Sequence, residues 1–173
     1  MANPTMTLIS SQTVGAGGVA SVTFSSIPAT YTDLKVLCTS RSDAISGNYG
    51  IKFNGDTGAN YNWRYLFGNG AGATSGLLSS NNEGVFGQMV GSSDTSNTFS
   101  ISELYIPNYA SSNQKSFLAD AARENNATTA VQIFDTGLWT GTAAITSMTI
   151  RPYAGNGNFV QYSTFYLYGI KNS

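Results

Sequence analysis

Apolar side chains recur at every second position in short runs along this chain, and clusters of Gly, Asn, Ser and Pro break the runs about every ten residues. A period of two places alternate side chains on opposite faces of an extended strand. The pattern therefore selects short antiparallel strands with one buried face over helices. The first strand reads as residues 7–14 and ends at Gly15-Ala16-Gly17-Gly18, where glycine permits the positive φ angles of a tight hairpin. Ala20, Val22 and Phe24 share a face in the second, and Pro28, with no N–H to give a ladder, ends it. Residues 34–40 follow with Leu34, Val36 and Cys38 on one side, then Tyr49, Ile51 and Phe53 in a fourth strand.

Residues 61–67 set Trp63, Tyr65 and Phe67 against Asn62, Arg64 and Leu66. From Gly68 onward the chain is Gly, Ala, Ser and Asn around Leu77 and Leu78, so a long surface loop is expected near 68–84. Strand character returns over 85–90 and 99–106, the latter with apolar groups on both faces, as in a central strand or one with an interface on its outer side. Residues 117–123 have some helix propensity, but Asn125-Asn126 leads into Val131 like a hairpin turn, which favours strand. The last strands read as 131–136, 145–151 and 160–170. Gly137-Leu138-Trp139 is expected in a loop, and Thr142-Ala143-Ala144 as one helical turn. Together these segments predict an all-β, antiparallel two-sheet β-sandwich, jelly-roll-like, of about ten strands. At 173 residues, 41% hydrophobic and 12% aromatic, the chain is expected to form a single domain over 1–173 with a sizeable core.

The sequence has no histidine and one cysteine. Ser-His-Asp and Cys-His catalysis and the common zinc sites are thereby excluded, and one thiol cannot close an internal disulfide. Cys38 reads as a small buried hydrophobe. There is no phosphate-binding glycine loop ahead of a helix. Glycosidase chemistry needs only two carboxylates. Among Asp33, Asp43, Asp56, Glu83, Asp94, Glu103, Asp120, Glu124 and Asp135, Glu103 stands out beside Ile101 and Tyr105, although a half-exposed residue in an ion pair explains it more simply. Asn54-Gly55-Asp56-Thr57-Gly58 has oxygen ligands for calcium, yet those residue types also build a turn. No catalytic, cofactor or metal residue is therefore assigned, no cofactor is expected, and the chain reads as a protein other than an enzyme. Trp63, Tyr65, Trp139, Tyr109 and Tyr153 are the candidates for a subunit interface or a sugar-binding surface.

Eight Lys and Arg against nine Asp and Glu give a net charge of −1, and the basic residues are scattered singly, so nucleic acid is not an expected partner. A charge near zero leaves little electrostatic resistance to association. The N-terminal residues lack the basic and apolar regions of a signal peptide, and no run approaches the roughly 20 apolar residues of a membrane span. Release into the cytoplasm without membrane attachment is expected.

Several runs resemble a family of small phage virion proteins found in phages of cyanobacteria and other aquatic bacteria. They are Leu8-Ile9-Ser10-Ser11-Gln12-Thr13-Val14, the stretch from Ser21 through Pro28 to Leu34, Tyr105-Ile106-Pro107-Asn108-Tyr109, the turn from Glu124 to Ala130, Gly137-Leu138-Trp139 and Tyr166-Leu167-Tyr168-Gly169-Ile170. The resemblance implies a jelly-roll module of a capsid-decoration or tail-fibre type. It runs from residue 7 almost to the last residue, with no shaft or tail-attachment segment ahead of it, which ranks capsid decoration first. The implied role is a cement protein on the capsid exterior of the virion, with the major capsid protein and copies of itself, as a homotrimer, for partners. The alternative is a carbohydrate- or receptor-binding module of a tail fibre or spike, with a glycan as ligand.

Overall fold

A computed structural model of the chain describes residues 5–124 and 130–171, and among them twelve strands build two antiparallel sheets. In chain order the strands are β1 Met6–Thr13, β2 Val22–Phe24, β3 Asp33–Ser40, β4 Gly47–Phe53, β5 Tyr61–Gly68 and β6 Ala73–Asn81. They continue as β7 Gly84–Met89, β8 Ser100–Ile106, β9 Lys115–Arg123, β10 Val131–Trp139, β11 Met148–Pro152 and β12 Thr164–Ile170, with a 3₁₀ turn at Tyr153–Gly155.

One sheet has the order β1-β12-β3-β8-β9-β10-β5-β6 and the other β2-β11-β4-β7. The first four strands of the large sheet and the whole small sheet are matched in a regular way: β1 and β2, β12 and β11, β3 and β4, and β8 and β7 are consecutive in the chain and lie in opposite sheets. This is the eight-strand jelly-roll pairing. The hairpins β5–β6 and β9–β10 are insertions that widen only one sheet, doubling it from four strands to eight.

Alternation in sequence becomes burial in space. In β3, Leu34, Val36, Cys38 and Ser40 point inward, and in β10 Val131, Ile133, Asp135, Gly137 and Trp139 do the same. The core is aromatic: Tyr49 stacks on Phe86 with centroids 5.0 Å apart, Phe53 meets Trp139 at 5.6 Å, and Phe159 meets Phe165 at 4.7 Å. Full burial of each such ring stabilises the fold by roughly 1.5–3 kcal/mol, and paired rings add about 0.5–1.5 kcal/mol. Cys38 is buried and its burial raises the thiol pKa, so it packs as a small apolar group.

Four expectations are corrected. The segment near 68–84 is mostly strand: β6 pairs with β5 from Gly68↔Ala73 to Trp63↔Leu78 without a break. Its side chains are largely exposed, so burial imposes no alternation, and the ladder alone keeps it extended. Gly137-Leu138-Trp139 belongs to β10 because both β5 and β9 hydrogen-bond to it. Residues 142–144 form no helical turn. The final strand begins at Thr164, since Tyr162 has φ 72° and Ser163 N–H donates to Val160 O at 3.2 Å in a turn. The Asn125-Asn126 turn lies outside the described residues.

Candidate functional site

The residues proposed from sequence separate by depth. Trp139 and Tyr109 are core groups, 3% and 0% exposed, and present no surface to a partner. Trp139 donates from Nε1 to Asp56 Oδ2 at 2.7 Å, its ring packs against Phe53 and Tyr61, and the Lys115 ammonium lies over it. Tyr109 donates its hydroxyl to Pro28 O and so ties the 106–112 turn to the segment after β2. Aromatic identity alone did not show which way these rings point.

Trp63, Tyr65 and Tyr153 are partly exposed. Trp63 and Tyr65 stack on each other with centroids 4.6 Å apart, and the Tyr65 ring covers Gly76 of β6, where a Cβ would lie 2.5 Å from the phenol oxygen. One face of each ring is thus turned to the other, and the Tyr65 phenol lies against the β6 backbone at Gly76. Tyr153 sits one step away, where Asn81 Nδ2 donates to its hydroxyl at 3.1 Å. The structure therefore gathers these three near the β5–β6 hairpin and leaves the other two in the core.

Trp63 is held from beneath by Asp135, which accepts Trp63 Nε1–H at 2.8 Å and Gly87 N–H at 2.5 Å. Gly87 has φ 54°, a conformation that glycine adopts without strain, and this turns its N–H toward the carboxylate. Asp135 thereby joins β10 and β5 of the large sheet to β7 of the small one. It is 0% exposed, and burial pushes its pKa up to about 6 against the pull of the two N–H donors.

The other singled-out carboxylates have structural partners. Glu103 lies on the outer face and pairs with Lys35 at 2.9 Å, its side chain half exposed. Asp56 accepts Trp139 Nε1–H, Asn60 Nδ2–H at 2.9 Å and Gly58 N–H at 2.8 Å. Burial raises the Asp56 pKa, but these donors outweigh it and lower the net value. Its oxygens serve the turn, and among the described residues no cluster of three or more Cys, Asp or Glu could hold a metal ion.

A different surface emerges from the widened sheet. Its outer face carries Tyr166, Leu37, Glu103, Asp120, Phe134 and Leu66 in one cross-strand row, as the register places them. The neighbouring rows add Ile101 on one side and Leu118, Arg64 and Leu77 on the other. Ile101 is 59% exposed, Leu66 56%, Phe134 46% and Leu118 42%. Shallow depressions of about 230, 390 and 280 Å³ adjoin here and share Gln132. The sequence signal for this face was the apolar residues of both parities in β8.

No family model matches this chain, and comparison with curated proteins finds no match. Among the described residues no helix is long and apolar enough to cross a membrane.

Proposed function

We propose that this chain is an attachment module of a phage virion, a capsid-decoration protein whose widened sheet lies against the assembled shell. The observation that carries the reading is the set of large apolar side chains exposed together on one sheet face, Ile101, Leu118, Phe134 and Leu66. Isolated exposed apolar residues need no explanation, but here four share one face, with Glu103 and Asp120 between them and Lys35 and Arg64 in the row beside them, a mixed apolar and polar surface of the composition that non-obligate protein interfaces have. The resemblance of the sequence to small phage virion proteins supplies the biological setting, the capsid exterior.

The module works without chemical turnover. Each copy covers neighbouring capsid subunits, so an opening event must also break its contacts, and many weak contacts on a repeating lattice act together. Purified heads carrying the protein should resist heat better than heads without it. Phe134→Asp with Leu118→Asp should lower occupancy on heads while leaving the fold of the free protein intact. Equal head stability with and without the protein, or undiminished occupancy by the double variant, would sink the reading.

A second reading is a glycan-binding module of a tail fibre. It is favoured by the depressions around Gln132, where Gln132 and Asp120 line one depression with Phe134 and the adjoining one with Glu103. Immunogold signal confined to tail tips, together with glycan binding lost in Gln132→Ala, decides for it.

A further inference from the structure

The open edge of β6 carries an inference that does not depend on the virion reading. β6 closes one side of the large sheet: β5 is its single neighbour, and no strand lies beyond it among the described residues. An open edge presents unpaired backbone N–H and C=O groups, which soluble proteins blunt with charges, prolines, bulges or brevity. Three of the four sheet edges here are blunted. β1 has a register shift between Leu8 and Ser10, β2 is three residues long, and the ladder holding β7 shifts between Asn48 and Tyr49.

β6 has none of these protections over most of its length. Its ladder is unbroken from Ala73 to Leu78, and the irregularity comes only at the far end, where Ser80 has φ 54°. No Lys, Arg, Asp, Glu or Pro occurs between Arg64 and Glu83. Leu77 and Leu78 point to opposite faces of this edge strand and are 56% and 39% exposed. The edge is therefore extended and neutral, with one exposed leucine on each face, and it belongs to a hairpin that the jelly roll itself does not require.

We propose that β6 pairs antiparallel with β6 of a second copy of this chain, joining the two large sheets into one across a two-fold axis. A second copy fits better than a charged partner because nothing of either sign on this edge selects one, and two identical neutral edges meet without like-charge repulsion. Pairing an edge with itself closes at two copies. It satisfies the free backbone groups and brings each exposed leucine beside the other strand. A dimer differs from the three-fold assembly implied by the family resemblance, so the two expectations can be told apart.

Sedimentation equilibrium over a micromolar to millimolar series should give twice the 18.2 kDa chain mass. Leu77→Lys and Leu77→Glu, each placing like charges near the axis, should sediment as folded monomers, and Ser75→Lys should do the same at a polar position. An equimolar mixture of the Leu77→Lys and Leu77→Glu variants should restore the dimer, with far-UV circular dichroism confirming that both fold. Monomeric wild type throughout the series, a trimer, a dimer unmoved by the lysine substitutions, or a mixture that stays monomeric overturns the proposal.

Discussion

Asp135 should make this protein more stable at mildly acidic pH than at neutrality. Its carboxylate is wholly buried between the sheets, and burial raises its pKa from the ordinary 3.8 to about 6. The folded state then holds the proton more tightly than the unfolded chain does. Stability is gained as pH falls through about 6, is complete below the unfolded value, and is lost again as pH rises through the folded value. The full gap corresponds to about 3 kcal/mol at ~1.36 kcal/mol per pH unit, of which about 1 kcal/mol falls between pH 7 and pH 5. For a chain of this length that is about 2–4 °C in Tm. Thermal unfolding by circular dichroism at half-unit pH steps measures it, and the absence of histidine keeps this window nearly clear of other titrating side chains. Asp135→Asn should remove this part of the pH dependence. It should also lose about 1–3 kcal/mol, because an amide nitrogen would face either the Gly87 or the Trp63 donor. Parallel Tm-against-pH curves for wild type and Asp135→Asn would refute the reasoning. They would mean that the two N–H donors outweigh burial and keep the carboxylate ionised.

Gly137→Ala should destabilise by about 3 kcal/mol, since the new Cβ would fall inside the buried Phe117 ring, and Phe117→Leu in the same chain should recover part of the loss. Unchanged Tm in the single variant would show that the Phe117 ring moves aside there at little cost. Trp139→Phe should cost about 1–3 kcal/mol by removing the Nε1–H donor to Asp56. The Asp56 carboxyl should titrate at higher pH by NMR, and an unmoved Asp56 titration would show that Asn60 and Gly58 hold it alone.

Alternation was legible wherever one face is buried. Leu34, Val36 and Cys38 are inward as read, and so are Val22 and Phe24. It failed in β6, where exposure on both sides leaves no selection for a period of two, so the chain resembles a loop until β5 is beside it. It failed again for Gly137-Leu138-Trp139, where turn-forming glycine sits in a central strand because Phe117 occupies the space a side chain would need. For the candidate surface, the aromatics drew attention to Trp139 and Tyr109, which the core uses. Leu66, Leu118 and Phe134 read as ordinary strand residues, and only the order of strands shows that they share an uncovered face.

The amino-acid sequence by itself determined the all-β class, the buried face of most strands and the loss of histidine-dependent chemistry. Each of these follows from residue identity or from spacings of two, which act within a single strand. Tertiary structure decided that two hairpins widen one sheet, that its outer face stays open, and that β6 ends it with an unprotected edge. Those outcomes depend on pairings such as β5 with β10, partners more than sixty residues apart in register, whose geometry no local pattern carries.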